Sequence, residues 1–248
     1  MFWRAVVVVS LLLCSTARAQ CNFDDYINLP DSTYLFNNMW GQDSANPGYY
    51  ECIAYGSANR TSTVKYSWSG NPNAVKAYPA VVAGWSWGYR YGQGAGGLPV
   101  RVYENHTILT SFEVQHVTMG GTEAYDVSYD LWLGPNDEEN PSSPAVEIMI
   151  WLTEENLQPL GSYQYSMSMW GTQWDFWSGW NDGGWTTFSF VRKSKTWSVT
   201  NQNISDFVNW LWTSNQLDGR KYLVGIQAGV ELSEGEGEFQ WQYSLNVQ

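Results

Sequence analysis

The sequence predicts an all-β fold with one short helix, and the spacing of its apolar residues carries that prediction. Short runs of alternating apolar and polar residues recur along the chain, with Gly, Asn, Asp and Pro between them. The runs cover residues 63–68, 99–104, 125–133, 145–152, 163–169, 186–191 and 222–232. Regular short strands with turn residues between them are typical of a β-sandwich, a barrel or a jelly roll. The chain of 248 residues has no linker or low-complexity segment, which indicates one domain.

Three of these runs place an apolar face opposite a face that carries a carboxylate. The three are 125–133, 145–152 and 222–232. Because side chains alternate along a strand, the even-numbered residues of the last two runs, Tyr222 and Val224 among them, are expected to form apolar faces. The opposite faces carry Asp130, Glu147 and Glu231, one on each run. If the three strands are neighbours in one sheet, these carboxylates converge on one concave surface.

One segment, 205–214, has the periodicity of a helix instead. Phe207, Trp210 and Leu211 fall on one stripe of a helical surface. Ser205 precedes this stripe and suits the N-cap position. The segment therefore predicts a single short helix that packs against a sheet.

Residues 1–19 have the pattern of a secretory signal peptide. A basic start is followed by an apolar run over residues 5–14 and by Ala17-Arg18-Ala19, an A-x-A cleavage site. The apolar run is too short to span a membrane. We therefore expect a secreted, extracellular protein whose mature chain, residues 20–248, is one domain.

Two features of the mature chain agree with secretion. Cys14 leaves with the signal peptide, so Cys21 and Cys52 remain and form a natural disulfide pair in an oxidising compartment. Three Asn-x-Ser/Thr sequons predict N-glycosylation, at Asn59, Asn105 and Asn203.

Charge and composition exclude several classes of function. The formal net charge of −12 argues against nucleic acid and against binding to a membrane surface through a basic patch. Two histidines leave little room for a His-based zinc site or a Ser-His-Asp triad, and we expect neither a metal nor a cofactor. Aromatic residues make up 17% of the chain, and carboxylates are plentiful. These two residue classes are the ones that sugar chemistry uses.

The carboxylates have two interpretations at this point. A glutamate on the polar face of a strand is usually a solvated surface residue. Hydrolysis of a glycosidic bond, in contrast, needs one carboxyl to protonate the leaving oxygen and a second to attack the anomeric carbon or to activate water. Glu147 favours the second interpretation because it stands in an otherwise apolar strand beside Met149 and Trp151.

The same strands resemble glycoside hydrolase family twelve. The resemblance rests on Tyr-Asp-Leu-Trp-Leu (129–133), Val-Glu-Ile-Met-Ile-Trp-Leu (146–152), Gln-Ala-Gly-Val-Glu (227–231) and Asn-Asn-Met-Trp-Gly (37–41). It extends over essentially the whole mature chain, and the cysteine pair matches the family's single disulfide near the amino end. It implies a compact single-domain β-jelly roll with an open groove and a retaining endo-β-1,4-glucanase activity on a polysaccharide partner. We expect a monomer.

The resemblance also implies roles for individual residues. Glu147 corresponds to the nucleophile and Glu231 to the general acid/base, while Asp130 is expected to hydrogen-bond and tune the nucleophile. Four further residues are implied as substrate contacts. Asn38 and Trp40 are expected in the far donor-side subsites, and Met149 and Trp151 near the cleaved bond.

The tryptophan-rich stretch 170–185 has both a structural and a functional interpretation. We expect at least half of its tryptophans to pack in the core. Trp180 and Asn181, near a turn, are the residues expected to line the groove. The glycine-rich segment 92–97 has the spacing of a dinucleotide loop, but a strand pattern rather than a helix follows it, which removes that interpretation.

Other functions stay open on sequence grounds. A lectin-like binding module of the same architecture is one alternative, although a catalytically silent relative is expected to lack Glu147 or Glu231. A xylanase of the related jelly-roll family is another. Glu234 is a weaker candidate for the acid, because strand alternation places it opposite Glu231. Among glucans, the sequence leaves xyloglucan, amorphous cellulose and mixed-linkage glucan open, and it predicts an acidic pH optimum.

Overall fold

The computed structural model describes residues 19–87, 89–90 and 95–248. Apart from Ala19, the expected signal peptide lies outside the described residues, as do residues 92–94 of the glycine-rich segment. The described residues form fourteen strands and one α-helix, α1, over Ser205–Thr213. The strands are Tyr26–Asn28 (β1), Tyr34–Phe36 (β2), Tyr50–Gly56 (β3), Thr61–Trp68 (β4), Ala80–Ser86 (β5), Tyr89–Arg90 (β6), Val100–Arg101 (β7), Ile108–Asn136 (β8), Val146–Glu155 (β9), Ser162–Met169 (β10), Thr172–Asn181 (β11), Trp185–Arg192 (β12), Ser198–Asn203 (β13) and Lys221–Val247 (β14).

The strands form one hydrogen-bonded sheet that folds into two stacked layers, because β8 and β14 pass through both. The first layer has the order β1-β2-β5-β14-β8-β9-β12-β11-β10. In the second layer, β3 and β4 pair with the C-terminal half of β14, which pairs with the N-terminal half of β8 and, beyond it, β13. Only β9 and β12 pair in parallel among the strands described. This arrangement is a β-jelly roll and confirms the predicted all-β class.

Two predicted strands are halves of longer ones. The runs 125–133 and 222–232 belong to β8, with 29 residues, and β14, with 27. Several register shifts in β14 between Leu232 and Gly237 mark the point where the pair changes layer. The backbone ladder continues through these irregularities, which is why turn-forming residues there do not end the strands.

The core between the layers forms from the faces that alternation predicts. Leu131, Ile148 and Ile226 contribute from the first layer, and Phe239 and Trp241 from the second. Each of these side chains is at most 1% exposed. Burial of such apolar surface is the main stabilising term for the two layers.

The predicted apolar face of 222–232 is wrong at its first two positions. Tyr222 and Val224 pack with Trp85 and Trp132 in a separate aromatic cluster, whereas Leu223 joins the main core. Register shifts on both sides of Leu223 explain the exchange, because an irregular position moves the following side chains to the other face.

Helix α1 confirms the predicted apolar stripe. Phe207 and Leu211 are fully buried, and Trp210 packs half-buried against the core. The N-cap prediction for Ser205 is wrong. Ser205 lies inside the helix, and its Oγ donates to the carbonyl of His106 at 2.7 Å, while no side chain caps the helix.

One connection differs from the sequence pattern, and the disulfide agrees with it. The run 99–104 contains only the short strand β7, and a 3-10 turn over Val102–Glu104 follows it. Cys21 and Cys52 form the expected disulfide, with a sequence separation of 31 residues. A loop of that length corresponds to about 3–4 kcal/mol in the chain-entropy model. In the described ranges, no helix has the length and apolarity needed to cross a membrane.

Candidate active site

An open cleft of about 1170 Å³ lies on the outer face of the first layer. It extends from Phe23 and Tyr26 near β1 to Gln158 and Leu160 after β9. The three predicted carboxylates all line it, namely Asp130, Glu147 and Glu231. They meet there because β14, β8 and β9 are neighbouring strands, as the alternation argument expects.

Cross-strand pairing sets the positions of these carboxylates. Asp130 of β8 stands between Gln227 of β14 and Met149 of β9. Glu147 stands between Trp132 and Thr187, one pair along the sheet. Directly opposed residues in neighbouring strands point to the same face, so each carboxylate projects into the cleft with its neighbours.

Glu147 is held by two donors. Trp185 Nε1 donates to its Oε2 at 3.0 Å and Thr187 Oγ1 donates to the same oxygen at 2.6 Å. Burial raises the pKa of Glu147, and these two hydrogen bonds oppose the rise because they favour the carboxylate. The arrangement also leaves Oε1 as the oxygen that faces away from both donors.

Glu231 differs from Glu147 because the groups around it raise its pKa and none opposes the rise. Burial raises its pKa well above the usual glutamate value, and the Asp126 and Glu147 carboxylates raise it further. Burial likewise raises the pKa of Asp130 well above its usual range, with additional effects from Glu147 and Glu231. Two carboxyls whose pKa values are shifted by different environments are the arrangement that chemistry with one acid and one nucleophile requires.

A family model described as Glycosyl hydrolase family 12 matches residues 32–247. The chain belongs to this family. Endoglucanase S of Pectobacterium parmentieri is 34% identical over 238 residues, covering 94% of this chain and 88% of that relative. Xyloglucan-specific endo-β-1,4-glucanase A of Emericella nidulans is 30% identical over 210 residues, a match that covers 81% of this chain and 79% of that relative. A family 12 xyloglucanase structure from Bacillus licheniformis matches with a TM-score of 0.84 and 32% identity, covering 93% of this chain and all of that chain.

The predicted hydrogen bond from Asp130 to the nucleophile is not among the contacts of the described residues. Burial and then the charge of Glu147 instead raise the pKa of Asp130, and Asp130 Oδ1 is buried without a hydrogen-bond partner in the part of the chain described. In this family 12 cleft, Asp130 is therefore an electrostatic neighbour of both glutamates.

An aromatic cluster forms the cleft wall next to Glu147. The ring of Trp185 lies 5.5 Å from that of Trp132 and 5.4 Å from that of Trp87. Trp87 lines the cleft and is 51% exposed, whereas Trp85 behind it is fully buried. Flat aromatic faces of this kind provide stacking surfaces for sugar rings.

The predicted substrate contacts other than Trp180 line the cleft. They are Asn38, Trp40, Met149, Trp151 and Asn181. Trp40 is 58% exposed on the β1–β2 side, which leaves its indole face open. Trp151 is buried at its ring, and its Nε1 has no hydrogen-bond partner among the described residues. That N–H is therefore an unpaired donor buried in the wall of the cleft.

The placement of Trp180 in the groove is wrong. Trp180 does not line the cleft, and strand alternation puts it on the opposite face of β11 from Asn181. Its ring is 65% exposed. The turn at which β11 ends does not change the face on which its last residues lie.

Sequence reasoning missed one carboxylate, Asp126. It is fully buried on β8, directly opposite Glu231 of β14. The signal was present in the sequence, because Asp126, Ser128 and Asp130 share one face of an alternating strand.

The three sequons occupy different environments. Asn59 and Asn105 are exposed, the first beside the β3–β4 turn and the second after the 3-10 turn. Asn203 is half-buried, and its side chain makes three hydrogen bonds. No cluster of three or more His, Cys, Asp or Glu within the described ranges could hold a metal ion.

Proposed function

We propose that this family 12 protein hydrolyses internal β-1,4-glucosidic bonds of plant glucans by double displacement. The observation that carries the proposal is the pair Glu147 and Glu231 in one cleft with unequal surroundings. Two donors favour the ionised form of Glu147. Burial and a neighbouring carboxylate favour the protonated form of Glu231. Retaining glycosidases need one carboxyl in each of these forms.

In the first step, Glu147 attacks the anomeric carbon while Glu231 gives its proton to the glycosidic oxygen. The bond between that carbon and the leaving oxygen breaks, and a covalent glycosyl ester forms on Glu147. Because Trp185 and Thr187 both donate to Oε2, we assign Oε1 as the attacking oxygen.

In the second step, Glu231 removes a proton from a water molecule that attacks the same carbon. The ester bond breaks, Glu147 is regenerated, and the β configuration is retained because two inversions have occurred. Asp130 supports both steps as a buried electrostatic neighbour of the two glutamates. Retention predicts a separation of about 5–5.5 Å between the two catalytic carboxyl groups.

Xyloglucan is the substrate that we propose first. Two of the relatives named above, from Emericella nidulans and Bacillus licheniformis, have names that specify xyloglucan. Endoglucanase S carries the broader name. The cleft is open along its length and large enough for a chain with side branches, which supports a branched glucan.

We also propose that the protein is secreted as a single catalytic domain, residues 20–248, and acts as a monomer. The signal-peptide pattern of residues 1–19 and the disulfide between Cys21 and Cys52 support secretion. The carboxylates Asp130, Glu147 and Glu231 meet in a cleft of a single chain, which supports a site that is complete in one subunit.

The test is the release of new reducing ends from xyloglucan by the wild-type protein and by Glu147→Gln. We expect the variant to fold normally but to lose activity by roughly a thousandfold or more, because an amide cannot form the glycosyl ester. Glu155→Gln is the matched control, since Glu155 is an exposed residue on the same strand. It should keep wild-type activity.

The anomeric form of the first product tests the double displacement. NMR of a short xyloglucan oligosaccharide digest should show the β anomer before mutarotation. Full activity in Glu147→Gln, or an α anomer as first product, contradicts the assignment of the nucleophile. Binding of glucans without release of reducing ends by the wild type would instead support the lectin-like alternative.

A further inference from the structure

Glu231 has a carboxyl neighbour that substrate cannot reach. Asp126 is fully buried and does not line the cleft. It lies directly opposite Glu231 in the antiparallel pair of β8 and β14. Opposed residues of this kind have Cβ atoms about 4.5–5.5 Å apart on the same face. The two side chains are therefore neighbours on one face of the sheet, and Glu231 is the one of the two that lines the cleft.

The remaining surroundings of Asp126 orient it toward Glu231. Ser128 Oγ donates to Asp126 Oδ1 at 2.6 Å, and the backbone of Ser128 is held by the Tyr78 hydroxyl at 3.0 Å. Asp126 Oδ2 is buried, and no donor among the described residues contacts it. A buried carboxylate oxygen without a hydrogen-bond partner costs free energy, and a hydrogen bond from a protonated Glu231 carboxyl to Oδ2 removes that cost.

Among the described residues, the charged groups that act on the pKa of Asp126 are all carboxyls. Its opposite neighbour on β9 is Glu154, which pairs with Lys195 at 2.8 Å. Asp130 lies further along its own strand, and both Asp130 and Glu154 raise the pKa of Asp126 in addition to the larger effect of burial. The interaction with the Glu231 side chain and the hydrogen bond from Ser128 both oppose this rise in the pKa of Asp126. Of these two neighbouring carboxyls, Asp126 is therefore the ionised one and Glu231 the protonated one.

We propose that Asp126 is a positioning residue for Glu231. The carboxylate of Asp126 accepts a hydrogen bond from the protonated carboxyl of Glu231. This bond keeps the proton on Glu231 until it moves to the leaving oxygen. The inference rests on the acid/base role proposed for Glu231. When the O–H bond of Glu231 breaks and the proton moves to the leaving oxygen, two carboxylates remain side by side. Their repulsion makes Glu231 a stronger base for the water proton of the second step.

The experiment compares the wild type with Asp126→Asn, which keeps the shape of the side chain and removes its charge. The pH profile of kcat/KM on xyloglucan has a descending limb, where activity falls as the pH rises. This limb should lie at lower pH in the variant than in the wild type. At pH 7 we expect a loss of about tenfold on xyloglucan. The burst of nitrophenolate from 2-chloro-4-nitrophenyl β-cellotrioside should be nearly unchanged, because that leaving group needs no proton. Equal losses on both substrates without movement of the limb overturn the proposal.

Three further variants keep the test decisive. Asp126→Asn should have no added effect in a Glu231→Gln background, whereas an added loss there contradicts the proposal. If Asp126→Asn does not fold, Ser128→Ala is the substitute: it keeps the Asp126 charge and removes the donor to Oδ1, which makes Asp126 a stronger acceptor for the Glu231 proton. The descending limb should then move to higher pH, and an unmoved limb overturns the proposal. Asp218→Asn, at a surface ion pair with Arg220, controls for the change in net charge and should leave the limb in place.

The outcomes for the acid itself separate the two levels of inference. If Glu231→Gln keeps full activity on both substrates, the proposed acid/base assignment fails. If Glu231→Gln loses activity on xyloglucan while Asp126→Asn leaves the pH profile unchanged, only the positioning role of Asp126 fails.

Discussion

At the scale of single residues, a carboxyl in the core makes the stability of this fold depend on pH. Glu51 is 1% exposed and accepts one hydrogen bond, from Trp68 Nε1 at 2.8 Å. Burial raises the pKa of Glu51 to about 8, and the bond from Trp68 opposes the rise. The folded state therefore holds this proton to higher pH than the unfolded state does. The stabilising contribution is complete below about pH 4.5 and is lost as the pH rises toward 8.

Replacing Glu51 by Gln should remove that dependence. We expect Glu51→Gln to be more stable than the wild type at pH 8 and to differ little at pH 4, since each unit of pKa difference corresponds to about 1.4 kcal/mol. Urea unfolding across this range measures the effect as a smaller slope of stability against pH, by up to one proton. Glu113→Gln, an exposed change, is the control. Parallel curves for wild type and Glu51→Gln would show that Glu51 does not carry the dependence.

A second residue-scale difference concerns the sequons. Asn203 Oδ1 accepts from the backbone N–H of Ile108 and from Ser205 Oγ, and its Nδ2 donates to Asp206. These bonds tie the end of β13 to the start of α1 and to β8. A glycan on Nδ2 needs space at the atom that contacts Asp206. The folded structure therefore uses Asn203 as a structural residue.

We expect glycans at Asn59 and Asn105 and none at Asn203 when the protein is secreted from a eukaryotic host. Mass spectrometry of the tryptic glycopeptides measures occupancy directly. Asn203→Gln should lose about 1–3 kcal/mol of stability without a change in glycan mass. Asn59→Gln and Asn105→Gln should each lose one glycan with little change in folding. A fully occupied Asn203 in active protein contradicts the expectation.

At the scale of elements, a buried lysine attaches a cleft loop to the strand that carries Glu231. Lys76 is 0% exposed, and its Nζ donates to the carbonyls of Asn71, Ala74 and Ser233. Burial lowers its pKa, while Glu234 acts in the opposite direction. The loop 71–75 contributes Asn73, Ala74 and Val75 to the cleft. The ammonium group thus holds this part of the cleft wall against β14.

Lys76→Met should detach the loop while keeping most of the buried volume. We expect a loss of about 3 kcal/mol in stability, because three carbonyls lose their donor, together with a several-fold increase in KM for xyloglucan. Thermal unfolding and steady-state kinetics measure the two effects. Lys65→Met removes a lysine from an exposed ion pair and serves as the control. An unchanged KM would mean that the loop is held by its other contacts.

The element scale also shows where sequence reasoning succeeds. Alternation predicts the faces of β9 and of the regular parts of β8 and β14, so it brings Asp130, Glu147 and Glu231 together. It fails at Tyr222 and Val224, because register shifts exchange the two faces there. Such irregularities depend on how neighbouring strands pair, which a single strand's pattern does not contain.

Two site residues illustrate the same distinction. Asp126 shares its face with Asp130, so the pattern contains it, but its contact with Glu231 depends on the register between β8 and β14. Trp180 is an exposed aromatic near a turn, a feature that by itself does not tell which face of the strand it occupies. Register and face are properties of the assembled sheet.

At the scale of the whole molecule, the cleft carboxyls together set the pH profile. In the proposed mechanism, activity needs Glu147 ionised and Glu231 protonated. Burial raises the pKa of Glu147, so activity should fall as the pH drops through a value above about 4.3, the pKa of a free glutamate. The pKa of Glu231 is raised further, so the descending limb lies at higher pH. The result is a bell-shaped profile with both limbs above the usual glutamate range.

Measuring kcat/KM on xyloglucan from pH 3 to pH 10 tests this profile. We expect the ascending limb to move in Thr187→Val, because loss of the donor to Glu147 raises the pKa of that residue further. Glu155→Gln should leave both limbs in place. An ascending limb at the value of a free glutamate would contradict the buried environment of Glu147.

The β8–β14 ladder has a consequence for how the protein loses activity. These strands pair from Lys221 opposite Asn136 to Val247 opposite Ile108, and they carry Asp126, Asp130 and Glu231. The amides of such a central ladder exchange with solvent only when the whole domain opens. Catalytic groups in many proteins sit on loops that loosen well before the fold does. Here the proposed acid Glu231 and its carboxyl neighbours Asp126 and Asp130 lie on that ladder, so we expect inactivation by heat and global unfolding to be one event.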